Sequence, residues 1–111
     1  MKYVILILIF IPKCVWAMSE RDYQIAHCQG VLEYRLDDGS RVDCLTDEYA
    51  IEYDFANKWA EAVGQALYYA EKTGKKPAIV LILKNDKQKK HLPKAEVLCN
   101  KYDIKLEIIY P

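Results

Sequence analysis

The chain has 111 residues, enough for one domain and too few for two. Apolar residues make up 52%, which excludes a disordered chain. Sixteen basic and sixteen acidic side chains cancel, so any contact with nucleic acid has to rest on a local patch rather than on overall charge.

The opening stretch "MKYVILILIFIPKCVWA" differs in kind from the rest. One Lys2, an apolar run from Tyr3 to Pro12 and the tripeptide Val15-Trp16-Ala17 fit an export signal cut after Ala17. About ten apolar residues are too few to span a bilayer, so no membrane span remains after cleavage and the chain is periplasmic or secreted. The alternative is that Met18, opening "MSERDYQ", is the true start of a cytoplasmic protein. Residues 18–111 carry fourteen basic and sixteen acidic side chains, with Cys28, Cys44 and Cys99. The cysteine spacing does not suit a zinc site. Buried free thiols are the preferred reading, with one disulfide in any of three pairings as the alternative.

Residues 19–29 read as a helix, with Ser19 as cap, Glu20 and Asp22 in the first turn and Gly30 as stop. "VLEYRL", "RVDCL" and "YAIEYDF" alternate as strands, with "DDGS" and "TDE" as turns, and Asp38-Gly39 predicts a two-residue hairpin loop. Asn57 then caps a helix whose apolar stripe is Trp59, Val63, Ala66, Leu67 and Ala70, and Gly74 ends it. "KPAIVLILK" is a continuous apolar run, expected to be a strand buried on both faces. A lysine-rich loop, a short helix opened by Pro93 and a last strand, "IKLEIIY", follow. The order α-β-β-β-α-β-α-β predicts an α/β domain over residues 18–111: a mixed central sheet with helices on both faces and one right-handed parallel crossover from Trp59 to Leu83.

Two carboxylates interrupt the apolar pattern of the second and third strands. With Asp47 and Glu48 central in the turn, Leu45 faces Ala50, Asp43 faces Glu52 and Arg41 faces Asp54. Like charges directly across a ladder repel unless one is protonated or a cation lies between them. Mg²⁺ or Mn²⁺ suits such a pair, because these ions take one or two carboxylates and complete their shell with water and phosphate oxygens. Two-residue turns at both hairpins place Glu33 opposite Cys44, on the other face from Asp43, unless a bulge reverses it.

The arrangement of a helix, a three-strand meander carrying D-(x)8-E-x-D and a helix with Gln resembles the PD-(D/E)XK nuclease superfamily, which includes Holliday junction resolvases and restriction endonucleases. The match runs from Glu20 to Leu83 on short motifs. The resemblance implies a restriction-endonuclease-like core and metal-dependent hydrolysis of DNA or RNA. It assigns Asp43 and Glu52 to the metal, with Glu20 assisting and Gln65 lining the site. The chain departs where the superfamily places a lysine two residues after the glutamate: it has Asp54, which is a third ligand or a charge neutralised by Arg41. Lys58, seven residues before Gln65 on the same helix face, is the substitute that this implies.

The one basic cluster is Lys84, Lys87, Lys89, Lys90 and Lys94, a candidate phosphate contact. Tyr68 and Tyr69 can stack on bases. Neither His27 nor His91 sits in a catalytic motif, and no P-loop or G-x-G-x-x-G pattern occurs. The alternative functions are a nuclease-like fold that binds without cleaving, and a structural domain held by an Arg41–Asp54 pair. A homodimer is the expected assembly in the superfamily.

Overall fold

The computed structural model describes residues 18–110; the expected export signal and its cut after Ala17 lie outside the described residues. The chain forms α1 (Glu20–His27), β1 (Val31–Arg35), β2 (Arg41–Leu45), β3 (Tyr49–Phe55), α2 (Trp59–Thr73), β4 (Lys76–Ile82), α3 (Leu92–Lys101) and β5 (Lys105–Ile109). One five-stranded mixed sheet has the spatial order β1-β2-β3-β4-β5. Strands β1 to β3 are antiparallel, and β3, β4 and β5 run parallel. Among the described residues no helix is long and apolar enough to cross a membrane.

Because β4 and β5 are added one after another on the same side of β3, two crossovers of one hand bring α2 and α3 to one face. Ala62, Val63 and Ala66 of α2 and Ala95 and Cys99 of α3 close a single core over Ile79, Leu81 and Leu83. The opposite face carries a smaller cluster of Cys44, Tyr53 and Val80, joined by Cys28, Ile51 and Ile109. Strand β4 is buried on both sides from Ala78 to Ile82, as its unbroken apolar run requires.

Ser19 caps α1 with a full capping box. Its hydroxyl accepts from the Asp22 N–H, and the Asp22 carboxylate accepts from the Ser19 N–H. The helix ends at His27, earlier than read, because the chain turns extended at Cys28 and bonds covalently to Cys44. That disulfide overturns the reading of three free thiols; among the described residues Cys99 alone is free, and it is buried. Gly30 does not stop the helix. A Cβ there would stand 2.2 Å from the Leu45 carbonyl oxygen, so only glycine lets this segment pass β2.

The first hairpin loop has three residues rather than two: Leu36 and Ser40 close it, and Gly39 takes left-handed backbone at φ +90°. Asp38 sets the longer loop, because its carboxylate accepts from the Ser40 N–H and hydroxyl and from the Tyr68 phenol. The register shifts by one residue. Leu32 pairs with Cys44 and Tyr34 with Val42, so Glu33 falls opposite Asp43 instead of Cys44. The second turn keeps the expected register, with Leu45 across from Ala50 and Cys44 from Ile51. Asn57 does not cap α2. A 3₁₀ turn, Ala56–Lys58, leads into that helix, and the Asn57 side-chain oxygen accepts from Gln88. Gly74 ends α2 in left-handed backbone, φ +74°.

Candidate functional site

Beyond Cys44 and Ile51 the β2–β3 ladder opens, and side chains take over its hydrogen bonds. The Asp43 N–H donates to Glu52 Oε1 at 3.2 Å, and the Tyr53 N–H donates to Asp43 Oδ2 at 2.9 Å. Each carboxylate therefore straps the neighbouring strand through one oxygen. Glu52 is 4% exposed, and no Lys, Arg or His among the described residues pairs with either acid. Burial pushes both carboxyls up, and for Glu52 the Asp43 charge adds to it. The two share a hydrogen bond, so without another cation the pair retains a proton.

A second carboxyl pair stands beside the first. Asp54, 6% exposed, is pushed up by burial and by its hydrogen bond to Glu20. Partial burial also works to raise Glu20, but the bond from Asp54 and the Lys58 ammonium outweigh it and hold Glu20 below its ordinary value. Lys58 Nζ lies 3.4 Å from Glu20 Oε1 and 4.0 Å from Asp54 Oδ1. Both anions, Glu20 foremost, raise the lysine.

All six residues read as catalytic or metal-binding, Glu20, Asp43, Glu52, Asp54, Lys58 and Gln65, line one cleft of about 470 Å³. Helix α1 supplies one wall, the split strands the floor and α2 the other wall. A larger groove of about 970 Å³ lies along the other sheet face, against Ile51, Tyr53, Val80 and Ile109, and none of the six reaches it. Among the described residues no three His, Cys, Asp or Glu side chains stand gathered as metal ligands.

The lysines of the basic segment do not line this cleft. The 3₁₀ turn Asp86–His91 packs on the Ala56–Lys58 turn, which puts the segment at the Lys58 end of the cleft. Lys84 Nζ sits 4.3 Å from the centre of the Phe55 ring, and Lys89 pairs with Asp86 at 3.4 Å. The expected Arg41–Asp54 pair does not form. Arg41 turns to Glu33 on β1, because the shifted register brings Glu33 to its side, while Asp54 faces Glu20 and Lys58.

Gln24 escaped the sequence reading, and Glu33 reaches the cleft because the hairpin register differs from the two-residue turn expected. Gln24, 5% exposed, donates through Nε2 to Glu33 Oε2 at 2.7 Å and to the Asp43 carbonyl at 2.9 Å. Its spacing of four from Glu20 puts both on one face of α1, a signal that was present in the sequence. Glu33 also forms ion pairs with Arg21 at 3.5 Å and Arg41 at 3.7 Å, and it sits at φ +53° inside a strand. No sequence signal marks a non-glycine residue for that backbone. No family model, no curated protein and no solved structure matches this chain.

Proposed function

We propose that this chain is a divergent member of the PD-(D/E)XK nuclease superfamily that hydrolyses phosphodiester bonds of DNA or RNA with Mg²⁺ or Mn²⁺. The observation that carries the proposal is the pair Asp43 and Glu52: a half-buried and a buried carboxyl across an opened ladder, hydrogen-bonded to each other and neither with a cationic partner among the described residues. Burying like charges this way is costly without a counter-ion. The donor set fits a hard divalent ion, which needs only one or two carboxylates from the protein. When bound, such an ion lowers the pKa of water and stabilises charge on a phosphate.

The remaining roles belong to the chain itself. Asp43 and Glu52 hold the ion; Glu20 and Asp54 keep a second proton-sharing pair next to it. Lys58 presents the ammonium that Asp54 cannot, entering from the 3₁₀ turn ahead of α2 rather than from β3. Gln65 orients water or substrate from α2. Lys84, Lys87, Lys89 and Lys90 meet backbone phosphates beyond the Lys58 end. An exported, periplasmic or secreted chain is supported by the Cys28–Cys44 bridge, since disulfides persist in oxidising compartments. A homodimer belongs to the same reading; β1 and β5 each leave one edge unpaired in the sheet order.

A second reading, a nuclease-like fold that binds without cleaving, is favoured by one observation: Lys58 is engaged by Glu20 and Asp54. Calorimetry of residues 18–111 with Mn²⁺ and Mg²⁺, beside Asp43→Ala and Glu52→Ala, tests the metal site. Binding in the parent and none in either variant supports it, and a screen of nucleic-acid substrates then separates cleavage from binding. A parent that takes up neither ion, even with DNA present, sinks the nuclease reading.

A further inference from the structure

Two of the chain's three arginines, Arg21 and Arg41, line one rim of the carboxylate cleft, and the third, Arg35, pairs across the ladder with Arg41, while the thirteen lysines are spread over the rest of the sequence. Arg21 comes from α1, and its guanidinium meets Glu33 Oε1 at 3.5 Å. Arg41 comes from β2 and meets the same oxygen at 3.7 Å. Arg35, at the end of β1, is the direct ladder partner of Arg41. Like charges directly across a ladder destabilise it, and Arg35 makes no ion pair with any described residue. One carboxylate thus pairs with two guanidiniums, and a third stands unpaired across the ladder from one of them. Neutralising Glu33 would need only one of them.

Glu33 itself is held at a cost. A non-glycine residue at φ +53° in a strand carries roughly 1–2 kcal/mol of strain. The hydrogen bond from Gln24 to Oε2 and the ion pairs of Oε1 with Arg21 and Arg41 keep it there, with Gln24 also tying it to the Asp43 main chain. Its carboxylate works as the post on which Arg21 and Arg41 are mounted. Those two side chains remain 61% and 52% exposed, so their outer N–H groups stay free to donate. A planar guanidinium grips a phosphate with two parallel N–H donors, which a lysine ammonium cannot do.

We propose that Arg21 and Arg41, mounted on Glu33, together with Arg35 beside Arg41, form a phosphate clamp that holds the backbone of a nucleic-acid strand on the β1–β2 rim, beside Asp43. The clamp rests on the nuclease reading and names how its substrate is held. The lysine segment at the Lys58 end and the arginines at the other side place the carboxylate pair between two phosphate contacts. Metal and strand then bind with positive coupling, because the acidic floor repels a phosphate until a cation neutralises it.

The test is equilibrium binding of a fluorescent, phosphorothioate-linked DNA strand, single and duplex, to the full chain in Mn²⁺, beside calorimetry with Mn²⁺ alone. The decisive variant carries Arg21→Lys, Arg35→Lys and Arg41→Lys, which keeps the charge and removes the fork. The clamp predicts DNA binding weaker by about tenfold or more, with Mn²⁺ affinity unchanged. Replacing all three by Ala should also lower the dependence of binding on salt by about one unit of slope per lost phosphate contact. If that variant fails to fold, the lysine variant decides alone. DNA affinity within about twofold of the parent in the lysine variant overturns the clamp and leaves the metal site standing. A parent that binds Mn²⁺ but neither form of DNA does the same. A parent that binds no Mn²⁺ removes the nuclease reading and the clamp together.

Discussion

Glu52 is the group whose ionisation the fold resists most. Burial, then the Asp43 charge, push it up to about 9 from an ordinary 4.5. A carboxyl raised on folding binds its proton more tightly in the native state. Its contribution to stability is therefore full below about 4.5, declines as pH climbs, and is gone above about 9. Thermal unfolding in a chelating buffer should show a midpoint that falls across that window. Glu52→Gln keeps an oxygen for the Asp43 N–H and cannot ionise, so it should flatten the profile and add on the order of 1–3 kcal/mol at pH 8. In Mn²⁺ the parent should recover, since a cation replaces the proton and its affinity rises with pH as the pair ionises. A parent profile that is already flat without metal would deny that the pair holds a proton. Glu33 gives a second test at the same scale. With its backbone at φ +53°, Glu33→Gly should be more stable than Glu33→Ala by about 1 kcal/mol in denaturant unfolding, the reverse of the order at an ordinary strand position.

Helix α1 is the weakly anchored element. Gln24 is the one buried residue among its eight, Ile25 is 51% exposed, and its ties to the sheet are polar: Glu20 to Lys58, Arg21 to Glu33 and Gln24 to Asp43. The covalent tie is Cys28 to Cys44, sixteen residues apart. Without it the polar contacts would have to outweigh the conformational entropy of an exposed, short helix. Cys28→Ser with Cys44→Ser should cost about 2–4 kcal/mol. Hydrogen exchange should quicken along α1 before it quickens in β4. Since Glu20, Arg21 and Gln24 all ride on α1, metal affinity should fall in the same variant. Equal protection of α1 and β4 in the serine variant would mean the polar ties suffice. Gly30, on the segment between bridge and sheet, has its own signature. Gly30→Ala drives a methyl into the Leu45 carbonyl and should cost about 1–3 kcal/mol even though the site is exposed.

At the scale of the molecule, neutral overall charge hides a separation of charge across the surface. The acidic floor lies between an arginine rim on β1, β2 and α1 and a lysine segment on the 3₁₀ turn Asp86–His91. Phosphate contacts at a flexible ammonium are point-charge contacts, released by salt. Lys87→Ala with Lys90→Ala should weaken single-stranded and duplex DNA alike and lower the salt slope by about two, without moving Mn²⁺ affinity. An unchanged slope would leave those lysines as a solvated turn. The sheet frame should not respond to either set of substitutions, because its core of Ile79, Leu81, Leu83 and the small residues of α2 and α3 lies away from both rims.

Local pattern alone determined much of this. The bounds of β2 and β3, the register of their turn, the buried run of β4 and the stops at Ser19 and Gly74 are all set by residues within a few positions of one another, where alternation, capping and left-handed glycine act. That same local register put Asp43 and Glu52 face to face on paper. What only the tertiary structure decided depends on residues far apart in the chain. Tyr68 reaches back thirty residues to Asp38, helping to fix a three-residue loop and the slip that turns Glu33 toward Asp43. The choice of Cys28 with Cys44 needs the exit of α1 to lie over β2. The gathering of three arginines needs the strand order and the slip together. A local pattern fixes which way a side chain points along its own strand; which neighbour it meets is set by long-range packing, where a one-residue shift reverses every face.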